Sequence, residues 1–542
     1  MKKIYLSLAT LIVGTALNAQ SAFWTATPYK GAFPVTDNTS ATDWTNGWTN
    51  FDPENTTYGA ATTTVSTDIT SNTTWSGIVK IVNKIYVKNG ATLTIEPGTI
   101  IRGDKQSQGT LVITRGSKIM AAGTVANPII FTSNEAVGNR AEGDWGGLVV
   151  LGKGKNNQPN GVANIEGITP SADTEFGGTD DNDNSGVLQY IRIEFAGIAL
   201  QPTKEINGLT FGSVGKGTKV DHIQVSFSGD DSYEWFGGAV DATHLVAYRG
   251  LDDDFDTDFG FRGRIQFGLI IRDKDLSDAI GDSNAFESDN DASGSNAQPL
   301  TAAVFSNITI VGPKGNGTVT LPVGEKFEKS FRIRRNSSIS VFNTITTGWE
   351  NGLSVEGASS EDNFTGDSAY FANNLLVNYG TGTNVLSAAN SFYATFFNAE
   401  ANDSTKTIAN VNWVNLFTPL GTTPDARLNP TSAAATGASF TNEKFSGGFV
   451  SVAELDKIDG LNVYPNPAGN NVNIDLNLAD GATVSVVIYD MTGKAVANAF
   501  NGYMSSGANQ IKVDTQNLKA GMYNTVISSD NAVKNIKLLI AK

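Results

Sequence analysis

Short runs of alternating apolar residues recur along this chain, with Gly, Asn and Asp at the turns between them, and that repetition limits the folds open to it. ATLTIEPGTII at Ala91–Ile101 aligns with GTLVITRGSKI at Gly109–Ile119 at an offset of 18 residues. In both, Leu and Ile two residues apart share a face, which is the periodicity of a strand. A second repeat has an offset of 22. Asp221–Gly238 lies over Thr243–Gly260, which sets His222 on His244, Asp230 and Asp231 on Asp252 and Asp253, and Tyr233 and Glu234 on Phe255 and Asp256. Periods of this length hold two or three short strands, too few for a propeller blade of ~40 residues or a helical repeat of ~33. One such coil cannot bury its inward side chains alone, but coils stacked at ~4.8 Å share a continuous core of Leu, Ile, Val and Phe. The pattern predicts an all-β chain whose body, residues 75–413, is a right-handed parallel β-helix, a solenoid of roughly fifteen coils.

The flanking segments read differently. MKKIYLSLATLIVGTALNAQ places Lys2 and Lys3 before an apolar Ile4–Leu17 and small residues near Ala19, the pattern of a signal peptide over residues 1–19. Its apolar run is shorter than the ~20 residues that span a bilayer. No later segment is long and apolar enough to cross one, so no transmembrane segment is expected. Residues 20–74 are rich in Thr, Asn and Trp (Trp24, Trp44, Trp48) and are expected to cap the open end of the solenoid, with sugar stacking as the alternative role of the tryptophans. Residues 414–460 read as cap or linker. The chain has no Cys, which removes disulfides and thiolate chemistry. Its net charge of -16 repels nucleic acid and anionic lipid, and suits an extracellular protein or one that takes up divalent cations.

From Leu461 the pattern becomes that of a small antiparallel sandwich. Val472, Ile474 and Leu476 alternate, as do Val484, Val486 and Ile488, and Asp490–Gly493 reads as a turn. VYPNP at Val463–Pro467, IYDMTGK at Ile488–Lys494, GMY at Gly521–Tyr523 and the terminal KLLIAK occur in order. With these motifs residues 461–542 resemble the type A C-terminal sorting domain of type IX secretion substrates in Bacteroidetes. Asn524 departs from the family, which usually continues with an apolar strand residue. The stretch ITSNTTWSG at Ile69–Gly77, ATLTIEPGTII and the GDDSYEWFGG box are similar to a family of Bacteroidetes β-helix surface proteins without an assigned role. These resemblances imply a partner in the type IX secretion machinery, a place on the outer cell surface or outside the cell, and removal of the tail near Phe449–Gly460.

The densest polar cluster is the pair of acidic boxes. If 22 residues is one coil, Asp230 sits beside Asp252, Asp231 beside Asp253 and Glu234 beside Asp256, with Asp254 and Asp258 nearby. Two carboxylates ~5 Å apart repel by roughly 3 kcal/mol at an effective dielectric of 20. Three remedies are open: a Ca²⁺ held by Asp230, Asp231, Glu234, Asp252, Asp253 and Asp256, pairing with Arg249, Arg262 and Arg264 on a solvated ridge, or protonation. Two other loops copy part of an EF-hand. Asp289, Asp291, Ser293 and Gly294 are followed by Leu300 at position twelve, and Asp180, Asn182 and Asn184 by Ile191, so both fail the ligand rule and read as Asx turns. His222 and His244, the only histidines, are expected to stack in adjacent coils, with a metal pair or a general base as the alternative. In FRIRR, Phe331–Arg335, alternation sends Arg332 and Arg334 outward, to pair with acidic turns or to meet anionic sugars.

No HExxH, no GxSxG and no Cys/His metal spacing occurs, so no catalytic residue is assigned. The expected function is a non-enzymatic adhesion, glycan-binding or envelope protein. The alternative, an extracellular polysaccharide lyase or glycoside hydrolase, rests on analogy of fold. An open groove beside the boxes favours the enzyme; a loop-covered face favours binding or structure. Deleting Leu461–Lys542 is expected to leave the protein in the periplasm, checked by immunoblotting cell fractions. Normal appearance of the truncated chain outside the cell contradicts the assignment of the tail.

Overall fold

The computed structural model describes residues 23–201, 204–278, 281–317, 319–379, 396–419, 421–445, 458–478, 482–489, 495–529 and 532–542. The signal peptide, the turn at Asp490–Gly493 and most of the expected cleavage segment lie outside the described residues. The chain divides into two compact units, Trp24–Phe440 and one holding Thr441–Lys542.

The larger unit is a parallel β-helix. Nine strands stack in order along one side: Lys84–Val87, Thr110–Ile113, Gly147–Leu151, Leu209–Gly212, Tyr233–Phe236, Phe255–Asp258, Phe286–Ser288, Lys329–Ile333 and Asn351–Val355. A sixteen-stranded sheet forms the rest of the wall. Its early part is two ladders, one through Ile78–Ile81, Ile100–Gly103 and Ile129–Ser133, the other through Thr92–Ile95 and Lys118–Ala122. Both pair into the single long strand Gly186–Glu194, which is followed by Lys219–Ser226, Ala242–Tyr248, Arg264–Ile271 and Val304–Val311. Each long strand bends at one residue in the left-handed region: Tyr190, His222, His244, Phe267 and Asn307, with φ between 49° and 65°. Such a residue turns the chain without ending the ladder, at a cost that a side chain larger than Gly must recover from its contacts. Here the rings recover it by stacking, with centroids 4.4 Å apart for Tyr190–His222, 4.2 Å for His222–His244 and 5.1 Å for His244–Phe267.

All described strand pairs within these two sheets are parallel, and crossovers between parallel strands of one sheet are right-handed in about 98% of cases. The 22-residue offset is one coil, since Tyr233 pairs with Phe255 and Val220 with Ala242. The 18-residue offset is not. Thr92–Ile95 lies in the sixteen-stranded sheet and Thr110–Ile113 in the nine-stranded one, so the same strand–turn–strand phrase serves two corners of the solenoid. The coil partner of Leu93 is Ile119, and that of Ile85 is Leu111. Excursions between strands lengthen other coils, and among the described residues the expected fifteen coils become nine rungs on one sheet.

Inside the coils Tyr233, Phe255, Phe286 and Phe331 form one buried column, with ring centroids 5.4, 5.2 and 4.9 Å apart down the series. The outer face of the sixteen-stranded sheet is apolar as well. Leu245–Tyr248 and Leu269–Ile271 are continuous apolar runs, which marks strands covered on both faces. The tryptophan-rich segment, expected at the open end, lies across this flank instead. Trp48 packs on Tyr190 and His222, Phe51 on Tyr248, and Asn50 and Thr25 exchange hydrogen bonds with the outward Gln224 and Gln266. The hairpin Trp413–Asn415/Asp425–Leu428 joins it there through a bridge from Leu428 to Val35. Thr63–Val65 and Thr73–Trp75 pair onto the first coils. Trp24 and Trp48 are buried in the core, and half-buried Trp44 is stacked on Phe33.

The smaller unit has a three-stranded antiparallel sheet, Ile458–Tyr464, Asn471–Leu478 and Gly507–Asp514, and a four-stranded one, Ala495–Met504, Ala482–Tyr489, Gly521–Ser529 and Ala532–Ile540. Val472, Ile474, Leu476, Val484, Val486 and Ile488 are buried between them, as their alternation predicts. The motifs at its two ends meet. The Asn466 side chain accepts from the Leu539 N–H at 2.9 Å and donates to the Lys537 carbonyl at 2.8 Å.

The Phe255→Ala variant removes a fully buried ring from the middle of the core column. It is expected to cost about 3–5 kcal/mol, read as a lower Tm with the strand circular-dichroism spectrum retained. An unchanged Tm contradicts this packing.

Candidate functional site

The acidic boxes lie where the chain leaves Lys219–Ser226 and Ala242–Tyr248 and enters the nine-stranded sheet. Alternation turns Tyr233, Trp235 and Phe255 into the core and Glu234 and Asp256 outward. The parallel register then builds one outward column of Thr210, Glu234, Asp256, Glu287, Arg332 and Ser354. Just before it, Ser232 and Tyr233 donate to the carbonyls of Asp253 and Asp254, and the Asp253 N–H donates to Asp231 Oδ1 at 2.9 Å. Backbone hydrogen bonding therefore holds the two boxes in register.

Two groups of oxygens result. One atom each from Asp230, Asp231 and Asp252 lie within 4.8 Å of one another, and so do one each from Asp231, Glu234 and Asp256. Asp253 belongs to neither group, because its carboxylate accepts from the backbone N–H and the side-chain amide of Asn284. Asp231, Glu234 and Asp253 are 7, 5 and 5% exposed. Burial above all, and then the neighbouring carboxylates, push Asp231, Glu234, Asp253 and Asp256 well above the usual carboxylate range. Asp254 rises to about 7 by burial, although its ion pair with Arg272 at 3.2 Å opposes the rise.

The arginines expected to balance the boxes are engaged elsewhere. Arg249 binds Glu54 and Asp273, Arg262 binds Asp181, and Arg264 binds Asp241. Arg264 opens a strand of the other sheet and Arg249 sits at a corner, so neither side chain belongs to the acidic column. Outward Arg332 and Arg334 pair within the chain, Arg332 with Glu287 and Glu356, Arg334 with Glu287 and Asp289, and Arg335 joins Asp289 at 2.6 Å. Among the described residues no Lys or Arg forms an ion pair with Asp231, Glu234, Asp253 or Asp256.

Two features of the site are silent in the sequence. Asn207 donates its amide to Glu234 and to Thr210; nothing in INGLTF signals this, and only the register of Thr210 with Glu234 brings it there. Its Oδ1, on a side chain 1% exposed, has no hydrogen-bond partner, and neither has Asp256 Oδ1. Buried acceptors without donors are costly. The second feature is the cover. The excursion between Leu151 and Gly186 forms the hairpin Val162–Asn164/Glu175–Gly177, and Ile165, Ile168 and Phe176 pack over Val112, Val149, Leu151 and Phe236 on the outside of the nine-stranded sheet. The face beside the acidic column is closed by chain.

Two of the remaining candidates are turns. Asp291 accepts from Ser293 and Ser295 in an Asx turn, which holds it at about 2. Asp180 accepts from the Asn182 N–H. His222 and His244 stack as expected, both with Nδ1 toward Asp221 Oδ1 at 2.7 and 2.9 Å. One atom each from Asp221, His222 and His244 also lie within 4.8 Å of one another, and Tyr190, Phe267, Trp44 and Trp48 pack against the two rings.

Residues 61–418 match the family described as a pectate-lyase-like β-helix domain, and residues 462–541 match the secretion system C-terminal sorting domain. No curated protein matches. Among solved structures, full-length tailspike protein 2 of the Escherichia coli O157:H7 bacteriophage CAB120 is similar at 11% identity and a TM-score of 0.29, over 87% of this chain and 65% of the tailspike.

A group whose folded pKa lies above its unfolded value makes the native state bind more protons, so stability falls as pH rises between the two values. In chelating buffer the Tm is therefore expected to fall from pH 4 to pH 8, and to fall less in the Asp231→Asn/Glu234→Gln variant. A profile identical in the two proteins contradicts the buried, ionisable centre.

Proposed function

Because the chain belongs to the pectate-lyase-like β-helix domain family and ends in a secretion-system sorting domain, we propose that it is a non-enzymatic adhesion or envelope protein whose rigid solenoid is locked by Ca²⁺ at the acidic boxes. Its export is by type IX secretion, to the cell surface or the extracellular space, and its tail engages the secretion machinery.

The burial of the carboxylates carries this reading. A general acid must come within about 3 Å of the proton it transfers, and Asp231, Glu234 and Asp253 are covered. One oxygen from each member of a group lies within 4.8 Å of the others. Such crowding suits the 2.3–2.6 Å bonds of a calcium ion. Among the described residues the β-helix exposes only isolated large apolar side chains, Val125, Val137, Val323 and Val414, so contact with an extracellular glycan falls to its polar turns and not to stacked rings. An ion that binds only the folded state adds about 2.7 kcal/mol at 100 times its Kd, and millimolar extracellular calcium can reach a weak site.

A chelator is expected to lower the Tm of the purified secreted protein by several degrees. Asp252→Asn/Asp256→Asn is expected to lower it in calcium and to blunt the chelator effect; equal melting curves with and without chelator return the boxes to an acidic ridge without metal. A glycan array paired with reducing-sugar and unsaturated-uronate assays tests the function itself. Binding or silence without turnover is expected, and release of sugar ends or uronates replaces the reading with a glycoside hydrolase or polysaccharide lyase.

A further inference from the structure

On the outer face of the nine-stranded sheet, acidic and apolar side chains stand next to each other. Val149, Thr210 and Glu234 follow one another in the outward column, and alternation puts Phe236 on the same face as Glu234. Ile165 and Ile168 of the cover share one buried cluster with Val149, Phe236 and Ile206, and Ile206 directly precedes Asn207. Glu166, between the two isoleucines, is thereby carried beside the acidic column. From this geometry we infer that a calcium ion held by Asp231, Glu234 and Asp256 takes Asn207 Oδ1 as a neutral ligand and fastens the cover to the wall through Glu166.

The inference rests on the cation reading above and adds a neutral ligand and the element that the ion holds. One oxygen each from Asp231, Glu234 and Asp256 lie within 4.8 Å of one another. Ligands on opposite sides of one calcium ion, bonded at 2.3–2.6 Å, are about 5 Å apart, so the three can share an ion. Three carboxylates alone do not make a site, and Asn207 supplies the independent observation. Its amide nitrogen donates to Glu234. Its Oδ1, on the same carbon of a side chain 1% exposed, has no hydrogen-bond partner. An ion bound to Glu234 is within reach of that oxygen, and amide carbonyls are ordinary calcium ligands. Asp256 Oδ1 is unpartnered as well. Burial first, and the Glu166 charge next, raise the Glu234 carboxyl, so the cover brings a like charge to the same place. Without a cation that charge pushes the cover off the wall, and an ion shared between them reverses the sign. Calcium takes roughly six to eight oxygens, which leaves positions for Glu166 and for water.

Hydrogen–deuterium exchange of the full secreted chain, followed by mass spectrometry with Ca²⁺ and with chelator, tests the inference without any variant. Calcium is expected to slow exchange of the amides in the hairpin Val162–Asn164/Glu175–Gly177 and its turn by about tenfold. The Glu166→Ala variant is expected to keep bound calcium, counted by equilibrium dialysis and atomic emission, and to lose that slowing. Asn207→Ala is expected to raise the calcium Kd by about tenfold. The strand spectrum in excess calcium confirms that each variant is folded, and an unfolded variant leaves the wild-type exchange as the deciding result. Bound calcium without slower exchange in the hairpin overturns the fastening while the calcium reading stands, and so does slowing that persists in Glu166→Ala. An unchanged Kd in folded Asn207→Ala overturns the neutral ligand. No bound calcium overturns both the inference and the reading beneath it.

Discussion

In-register stacking of parallel strands governs everything else in the larger unit. Once Tyr233 pairs with Phe255 and Phe255 with Phe286, each side chain has its counterpart one rung above and one below, at about 4.8 Å. For apolar residues this is favourable, and it builds the aromatic column. For residues in the left-handed bend it turns a local cost into a ladder of stacked rings from Tyr190 to Phe267. For carboxylates the same geometry is unfavourable, because Glu234 cannot move away from Asp256 without breaking the rung. The fold cannot relax the repulsion and must compensate it.

Compensation takes two forms along one column. Toward the C-terminal end, Glu287 meets Arg332 in the next rung and Arg334 two residues on, so charge is neutralised within the chain. Glu234 has Thr210, which carries no charge, in the rung before it, Asp256 stands between Glu234 and Glu287, and the flanking loops add Asp231 and Asp230. The chain is thus neutral where arginines stack and acidic where they do not. That difference separates a plain ion-pair ladder from the acidic centre.

Much of this was legible in the sequence where one residue dictates its own environment. The 22-residue offset paired the boxes correctly because both copies keep the aromatic–acid alternation that fixes an inward and an outward face. The sorting-domain strands were equally clear from Val472–Leu476 and Val484–Ile488. What could not be read depends on partners far apart in sequence. The 18-residue offset misled because a strand–turn–strand phrase suits any corner of a solenoid, and sequence similarity does not say which. Trp48 looked like capping material because the apolar outer face that it covers, Val246 and Leu269 among others, exists only after the coils stack. Arg249, Arg262 and Arg264 are near the boxes in sequence, but a coil carries each to another corner. Asn207 has no signature at all.

The claim at the centre of this account is that stacking in register creates a charge deficit which a bound cation must fill. A crystal structure of the secreted protein grown in terbium, with an anomalous difference map, tests it most directly. The account predicts strong anomalous density ringed by Asp231, Glu234 and Asp256, with carboxylate oxygens about 2.3–2.6 Å from the peak. A map with no peak there, in crystals that show the metal bound elsewhere on the chain, contradicts it.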